Sequence, residues 1–320
     1  MAKLKVLLHS LFYPMAIAAY YRRALEQRDD IDLKVTGVYT GNFIPWKGGM
    51  NLPQKYVSPP DIPLPYHYSA PVANYEYVQH QLKCWKPDLI ITVDASSHWA
   101  NKPSEGYIAH VATDAHCLNY DKQRADSDKF FNMHEVYAKG KDIILPYCYD
   151  HTMHYRETEV TKEYDVAMVG VEYQHRIELA NRLKAEGIKT YFSNGEVFDE
   201  YRQIHQKAHI GLNWSSLDDL NARAFELPAM GNIPVMNRVT DMGLPRHSYF
   251  DYAYLFDCVN DAHNKLPFVQ GAVDKVKYVM ANLPQAQAQL EEMRKLIVNE
   301  TYANRVQTVL DECGFGGSVG

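Results

Sequence analysis

The chain has 320 residues, of which 46% are hydrophobic and 22% charged, so it is long enough for two globular domains with cores of ordinary size. Its formal net charge of −6 disfavours a protein whose whole surface binds nucleic acid, although a basic site on an acidic protein is compatible with that charge. The five cysteines are scattered and form no CxxC pair, which argues against a disulfide framework and a zinc ribbon.

The first half of the chain alternates short apolar runs with helical and loop-like segments. The apolar runs predict strands at Lys5–Ser10, Leu33–Thr40, Asp88–Val93, Ile108–Thr113 and Asp142–Leu145. Helical patterns fall at Met15–Arg28 and Val72–Trp85, and Gly41–Ala70 is predicted to be a proline-rich loop. Strands that alternate with helices indicate a parallel, doubly wound sheet.

The same alternation begins again after a polar stretch at Pro146–Lys162. Strands are predicted at Asp165–Val171, Lys189–Phe192, His209–Asn213 and Ile233–Met236. Helices are predicted at Gln174–Glu186, Val197–Ala208, Ala222–Met230, Asp274–Leu283 and Pro284–Cys313. Gly187 and Gly231 follow two of these helices in positions that suit a C-cap.

This restart predicts two domains, residues 1–155 and 156–290, and a C-terminal helix over 291–320 that could pack back on the first domain. The predicted fold class is α/β, with two Rossmann-like, doubly wound domains that face each other across a cleft. In open α/β sheets, ligands bind beyond the carboxyl ends of the strands. Functional residues are therefore expected just after the strand ends.

The turn between the strand Asp165–Val171 and the following helix is one candidate site. Gly170 ends the strand, and Arg176 lies in the first turn of the helix, where backbone N–H groups favour an anion. Arg176 could give a bidentate contact to a phosphate. A plain strand–helix turn with a surface arginine is the alternative.

The segment Ile210–Val235 is the second candidate. Arg223 and Glu226 lie three residues apart and therefore share one face of a helix, which Pro228 should kink or shorten. A carboxylate near a helix start can accept hydrogen bonds from the two hydroxyls of a ribose, whereas a surface Arg–Glu pair would contribute little. The polar residues between Ser215 and Asp219 are expected to cap this helix.

The stretch Arg223–Gly231, RAFELPAMG, resembles the R-x-F-E-x-P-A-x-G signature of CgeB-like glycosyltransferases, which have the GT-B fold. It is also similar to the wider glycosyltransferase group 1 pattern. Upstream, Gly170 with Arg176, the strand His209–Asn213 and the hinge Leu145–Tyr155 resemble the family's segments in the same order.

This resemblance implies a nucleotide-sugar donor site in the second domain. Glu226 would bind the ribose hydroxyls, Gly170 and Arg176 would lie against the diphosphate, and Arg223 and Asn213 would line the same pocket. Gly231, the last residue of the signature, is counted with these donor-binding residues. The sequence departs from the group 1 pattern where the first acid is Asp218 rather than a glutamate, and where Asn232 is an extra residue.

The first domain would hold the acceptor and a catalytic base. Asp94 follows one predicted strand, and Asp114 and His116 follow the next, so each is placed at a carboxyl strand end. A carboxylate or imidazole there could deprotonate an acceptor hydroxyl. Asp114 is slightly favoured because CgeB-like proteins have an aspartate after that strand; capping of the next turn is the alternative for both aspartates.

Metal sites are not expected. His151 and His154 form an HxxH pair beside Asp150 without an evident third ligand, and the DxD Asp126 to Asp128 lies in a polar loop of the first half. The resemblance implies a metal-independent enzyme, because GT-B enzymes stabilise the departing diphosphate with protein groups and helix dipoles.

The predicted function is transfer of a sugar from a nucleoside-diphosphate sugar, with a UDP-sugar favoured, to an acceptor hydroxyl. The alternatives are a GT-B-folded sugar-nucleotide epimerase and a non-catalytic protein that binds nucleotide sugars or glycans. The acceptor could be a glycan, a small molecule, a protein or a modified DNA base, and the oligomeric state stays open. The N-terminus shows no signal-peptide pattern and no run suits a membrane span, so a cytoplasmic protein is expected.

Overall fold

The computed structural model describes residues 2–44, 50–51, 58–65, 72–94, 98–259 and 264–317. The chain forms two compact units: Met1–Pro146 with Tyr302–Gly320, here called the N-terminal unit, and Tyr147–Thr301, called the C-terminal unit. The domain limits expected from the sequence, 1–155, 156–290 and 291–320, stay predictions.

The described part of the N-terminal unit contains a seven-stranded parallel sheet with the strand order β11-β10-β9-β7-β1-β2-β5. Its strands are β1 (Leu4–Phe12), β2 (Ile31–Tyr39), β5 (Ile62–Leu64), β7 (Leu89–Val93), β9 (Tyr107–Ala112), β10 (Lys129–Asn132) and β11 (Ile143–Ile144). The central strands β1 and β7 are apolar along most of their length because both faces of a parallel sheet are covered.

Four α-helices, one short 3-10 helix (Glu135–Tyr137) and four two-residue strands complete the description of this unit. The helices are α1 (Ile17–Glu26), α2 (Tyr75–Leu82), α3 (Asp121–Asp126) and α9 (Tyr302–Glu312), and the strands are β3 (Phe43–Ile44), β4 (Met50–Asn51), β6 (Val72–Ala73) and β8 (His98–Trp99). The last helix packs on the first, and the rings of Tyr20 and Tyr302 stack with centroids 5.0 Å apart. The end of the chain therefore belongs to the core of this unit.

The C-terminal unit contains a five-stranded parallel sheet in its described residues, ordered β13-β12-β14-β15-β16. Its elements are β12 (Tyr164–Val169), α4 (Gln174–Ala185), β13 (Thr190–Ser193), α5 (Phe198–Gln206), β14 (Ala208–Asn213), α6 (Arg223–Ala229), β15 (Ile233–Asn237), β16 (Tyr254–Phe256), α7 (Val269–Ala281) and α8 (Leu283–Leu296). The larger part of the core contains the buried Trp214 and residues of α4, α7 and α8, and a smaller buried cluster joins Tyr201 of α5 and Leu227 of α6 to Val169 of β12.

The structure corrects several element predictions. The short strands β5, β10 and β16 were not predicted, because three or four residues are too few to show a periodic pattern. The expected helix over 284–313 ends at Leu296 and starts again at Tyr302. Between them the backbone N–H of Tyr149 donates to the carbonyl of Glu300 at 3.0 Å, and Thr301 bridges to Tyr149, so this stretch is extended rather than helical.

Some sequence predictions fall on residues outside the described ranges, namely parts of the proline-rich loop Gly41–Ala70 and the turn that follows Asp94. Within the residues that the structure describes, none of the helices combines the length and the apolar character that a membrane crossing requires.

Candidate functional site

Gly170 and Arg223 meet at the carboxyl end of β12. Gly170 directly follows the strand and has a φ of +149°. A Cβ atom at this position would lie 2.8 Å from Nη2 of Arg223, so only glycine leaves room for the guanidinium. The half-buried Arg223 comes from the first residue of α6, and its Nε is buried without a hydrogen-bond partner.

Arg176 is buried beside the same turn, with 5% of its surface exposed. Its Nη1 donates to the carbonyl of Val171 at 3.0 Å, and Nε donates to the carbonyl of Trp214 at 3.1 Å, a carbonyl that also accepts from Nη2. Burial and the neighbouring Arg223 guanidinium lower the pKa of Arg176. Arg176 therefore ties the start of α4 to the end of β14 and places its charge next to that of Arg223.

Lys265 is a third cation near this strand edge, and the sequence analysis missed it. Only 4% of its surface is exposed, and its Nζ donates to the carbonyl of Ser215 at 3.0 Å. Burial lowers its pKa, and Arg176 acts in the same direction. An isolated lysine before Leu266 carries no spacing signal, so no sequence pattern could have identified it.

These three cations share a property that is unusual for buried charges. Among the described residues, none of Arg176, Arg223 and Lys265 forms an ion pair with a carboxylate. Asp219 acts electrostatically on Arg176, and Asp218 and Asp219 act on Lys265, in each case without an ion pair. Carbonyl dipoles compensate buried positive charge only in part, so this edge of the sheet favours an anion.

Glu226 lies in the first turn of α6 and is buried, with 9% of its surface exposed. The hydroxyl of Tyr201 donates to Oε2 of Glu226 at 3.0 Å, and Nε2 of His154 lies 3.7 Å from Oε1. Arg223 and Glu226 share a helix face as expected, but they do not form the surface pair that was the alternative, because Arg223 lies against Gly170 and Glu226 against Tyr201.

Asn213 is buried at the end of β14 and supports the loop before α6. Its amide exchanges hydrogen bonds with the amide of Asn221 at 3.0 and 3.3 Å. The expected cap of α6 by the polar turn is wrong: no side chain caps the helix, and Ser215 binds the carbonyl of Asp219 instead. The carboxylate of Asp218 binds the backbone N–H and hydroxyl of Thr240 at 2.8 and 2.5 Å.

Gly231 closes α6 in the left-handed region, with a φ of +86°. A Cβ atom there would lie 2.8 Å from Cδ of Arg156, whose guanidinium pairs with Glu291 at 2.6 Å. Gly231 thus directly follows the C-cap residue Met230, and its left-handed conformation gives it a local structural role at the end of the signature helix.

Asp94 follows β7 in the N-terminal unit and has a φ of +79°. Its backbone N–H donates to the carbonyl of Val111 at 3.0 Å, which holds the residue at the carboxyl edge of the central strands. A positive φ is uncommon outside glycine, although aspartate tolerates it better than most residues, and such conformations concentrate at functional sites.

Asp114 and His116 lie in the turn after β9. The hydroxyl of Thr113 donates to Oδ2 of Asp114 at 2.9 Å, and the backbone N–H of Asp114 donates to the hydroxyl of Tyr120 at 3.3 Å. The ring of His116 meets that of the buried His134 edge to face, with centroids 5.0 Å apart. Asp94 acts electrostatically on Tyr120 and so shares this edge with Asp114.

The structure thus sorts the predicted residues into two groups. Gly170, Arg176, Asn213, Arg223, Glu226 and Gly231 lie in the C-terminal unit, and Asp94, Asp114 and His116 lie in the N-terminal unit. Within the first group, Gly170, Arg176 and Arg223 come together at one strand edge, whereas Gly231 lies at the far end of α6.

The residues of the HxxH and DxD patterns contact other protein groups. His151 is exposed whereas His154 is buried, and Nδ1 of His154 accepts from the backbone N–H of Asp150 at 3.2 Å. Asp126 pairs with Lys122 at 2.5 Å, and Asp128 pairs with Lys102 at 3.2 Å. Among the described residues, no group of three or more His, Cys, Asp or Glu side chains is arranged to hold a metal ion.

Comparison with known proteins gives similarity of structure only. No protein-family model matches the chain, and no curated protein matches it. Among solved structures, a sucrose-phosphate synthase from Thermosynechococcus elongatus superposes with a TM-score of 0.66 at 10% identity, covering 98% of this chain and 100% of the other.

Two further structures are similar over nearly the whole chain. An alpha-glucosyltransferase in complex with UDP and a 13-mer DNA has a TM-score of 0.63 at 10% identity, covering 98% and 100% of the two chains. A UDP-N-acetylglucosamine 2-epimerase has a TM-score of 0.61 at 14% identity, covering 98% and 97%. At these identities the likeness concerns the fold. Two Rossmann-like α/β units of this kind are the domains of a GT-B fold, which confirms the predicted α/β class with two Rossmann-like domains.

Proposed function

We propose that this protein transfers a sugar from a nucleoside-diphosphate sugar to an acceptor hydroxyl, and that the C-terminal unit binds the donor nucleotide. The observation that carries the proposal is the group of three cations, Arg176, Arg223 and Lys265, which have no carboxylate partner among the described residues. A diphosphate supplies the negative charge that these side chains lack.

The position of the cations supports a diphosphate rather than a carboxylate ligand. Arg176 and Arg223 flank the turn after β12, where the amino end of α4 adds a partial positive charge. A diphosphate carries more charge than a carboxylate and spans more donors, so it matches two arginines and a helix end better.

Glu226 supports the nucleoside part of the proposal. Its carboxylate lies in the first turn of the same α6 that supplies Arg223, so one helix presents both a cation and an acceptor of hydroxyl hydrogen bonds. Ribose offers two adjacent hydroxyls, and each bond to a charged acceptor contributes about 1.5–3 kcal/mol. UDP is the favoured nucleotide because the similar alpha-glucosyltransferase was solved in complex with UDP.

In the proposed reaction the acceptor oxygen bonds to the anomeric carbon as the bond from that carbon to the diphosphate oxygen breaks. The hydroxyl proton passes to a carboxylate, for which we put Asp94 before Asp114, because Asp94 is held in an unusual conformation at a strand end. The negative charge that develops on the leaving diphosphate is stabilised by Arg176, Arg223 and Lys265.

A ligand screen tests the proposal. UDP-, GDP-, ADP- and TDP-sugars are added separately, and the melting temperature is expected to rise with at least one of them because ligands stabilise the state they bind. Glu226→Ala should weaken binding of that nucleotide by about 100-fold in calorimetry while the protein still melts cooperatively. Absence of any shift, or unchanged affinity in the variant, contradicts the proposed donor site.

A turnover assay separates transfer from the epimerase alternative, which shares this fold in the similar UDP-N-acetylglucosamine 2-epimerase. The donor that binds is incubated with and without candidate acceptors, and the products are separated by chromatography. If the protein transfers the sugar, a glycosylated product should form only when an acceptor is present. If an epimerised donor forms without an acceptor, the protein is an epimerase and the transferase assignment is wrong. Nucleotide binding with neither product and without slow donor hydrolysis would indicate a binding protein.

A further inference from the structure

The carboxylate of Glu226 is contacted from two sides by side chains outside the signature helix. Tyr201, on α5, donates its hydroxyl to Oε2 at 3.0 Å. His154, in the turn after the start of the C-terminal unit, places Nε2 at 3.7 Å from Oε1. Both neighbours are buried, with 7% and 2% of their surfaces exposed.

The backbone fixes which nitrogen of His154 faces Glu226 as a donor. Nδ1 accepts a hydrogen bond from the backbone N–H of Asp150 at 3.2 Å, so Nδ1 carries no proton. The neutral ring therefore has its proton on Nε2, the atom that faces Oε1 of Glu226.

Tyr201 is equally constrained. Its ring meets His154 and His205 edge to face, with centroids 6.0 and 4.6 Å apart, and both nitrogens of His205 are buried without partners. Burial and the charge of Glu226 raise the pKa of Tyr201 well above its usual value, so the phenol stays protonated and acts as a donor.

We propose that Tyr201 and His154 are positioning residues that fix the orientation of the Glu226 carboxylate and thereby make the site select ribonucleotides over 2′-deoxyribonucleotides. The inference rests on the proposed donor site. Each fixed oxygen keeps a lone pair for a ribose hydroxyl, so both hydroxyls are needed to satisfy the carboxylate. A carboxylate that can turn re-adapts to a single hydroxyl, and the discrimination falls.

Calorimetry with UDP and 2′-deoxy-UDP tests the inference through the ratio of the two dissociation constants. The ratio is informative because both ligands carry the same diphosphate, and any indirect effect on Arg223, which also contacts Tyr201, cancels. We expect the native protein to prefer UDP by about tenfold or more. In Tyr201→Phe the ratio should fall by about fivefold.

A matched control removes a similar bond elsewhere in the same unit. The hydroxyl of Tyr191 donates to Oε1 of Glu196 at 2.6 Å, so Tyr191→Phe also deletes a Tyr–Glu hydrogen bond. This variant should keep the native ratio. An equal fall in both tyrosine variants would show a general loss of rigidity and would overturn the assignment of Tyr201.

Two variants of His154 provide an independent measurement. His154→Gln retains a donor near the position of Nε2, whereas His154→Ala removes it. The glutamine variant should keep most of the preference for UDP and the alanine variant should lose it. If Tyr201→Phe fails to melt cooperatively, the comparison of His154→Gln with His154→Ala tests the inference instead. Binding of UDP with an unchanged ratio in Tyr201→Phe and His154→Ala overturns this inference alone, whereas no nucleotide binding by the native protein overturns the proposed function as well.

Discussion

The titratable side chains buried near the two sheets differ in kind. In the C-terminal unit the buried cations Arg176 and Lys265 lie beside the half-buried Arg223, although this unit also buries histidines. In the N-terminal unit the titratable groups buried on the central strands β1 and β9 are imidazoles: His9 and His110 each have 2% of their surface exposed, and burial lowers the pKa of each to about 3. These two rings are therefore neutral at pH 7.

The N-terminal imidazoles form part of a polar row across the sheet. His9, Thr92 and His110 are register neighbours on β1, β7 and β9, and His9 stacks on Trp99 with centroids 4.1 Å apart. Nδ1 of His9 lies 3.3 Å from the carbonyl of Thr36, so it acts as the donor of that contact. A buried histidine becomes neutral by losing a proton near pH 7, whereas a buried arginine or lysine loses its charge less readily and is stabilised by an anion.

The largest effect is expected from Asp94→Asn. Asparagine tolerates a positive φ as aspartate does, so the fold should be kept while the proposed base is lost. We expect kcat for sugar transfer to fall by about 100-fold or more, with the affinity for the nucleotide unchanged. Asp114→Asn is the comparison variant, and a larger loss there would move the base to Asp114 and reverse our ranking.

Acid should destabilise the N-terminal unit through its buried histidines. Because their folded pKa of about 3 lies below the unfolded value of about 6.5, the unfolded chain binds protons first as the pH falls. The free energy of unfolding should decrease below pH 6.5 by about 1.4 kcal/mol per pH unit for each histidine, and the loss should end near pH 3. Urea denaturation at several pH values measures this slope.

The matched variants for that measurement are His110→Phe and His80→Phe. Phenylalanine at position 110 can stack on Phe130 as the imidazole does, with centroids now 5.4 Å apart, but it cannot titrate. In His110→Phe the slope of the unfolding free energy against pH should be smaller by about the contribution of one histidine. His80 is exposed on α2, and its replacement should leave the slope unchanged. Equal slopes in all three proteins would contradict the burial of a neutral His110.

Lys265→Met tests the buried cations of the C-terminal unit. Removing a buried charge without a carboxylate partner relieves its desolvation, so the stability of the free protein should be unchanged or higher by about 1 kcal/mol. The affinity for UDP should nevertheless fall by about tenfold, as calorimetry can measure. Lys277→Met, at an exposed lysine paired with Glu186, is the control and should change neither quantity much. A large loss of stability in the free protein would indicate that Lys265 serves the fold.

The smallest effect is expected at Gly231. Gly231→Ala places a Cβ atom at a φ of +86° and against Arg156, and should lower the unfolding free energy by about 1 kcal/mol. Nucleotide affinity should stay within twofold, because Gly231 ends α6 on the side away from Glu226. Gly271→Ala, inside α7 and with open space around it, should be neutral or stabilising. Lost nucleotide binding in Gly231→Ala alone would make it a ligand contact.

The sequence predicted what local patterns determine. The central strands β7, β12 and β14 appear as apolar runs, and the helix that carries Arg223 and Glu226 ends at a glycine where a C-cap was expected. The order of these elements was sufficient for the fold class. The very short strands were invisible because pairing with neighbours, not their own pattern, creates them.

The sequence could not predict the partners that depend on tertiary packing. Tyr201 and His154 lie far from Glu226 in the chain and meet it only in the folded C-terminal unit. The buried charge of Lys265 and the positive φ of Asp94 likewise have no local signature. His154 was considered only for an HxxH motif, and that motif did not indicate its contact with a carboxylate.

The placement of α9 has a consequence for synthesis on the ribosome. The C-terminal unit is one continuous segment, 147–301, whereas the N-terminal unit needs residues from both ends of the chain. The buried face of α9, with Tyr302, Val306 and Val309, is synthesised after the C-terminal unit, so residues 1–146 lack this layer until that unit has emerged. The segment that is made second is therefore the first to have all the residues that it needs to fold, and the unit that starts the chain is completed after it.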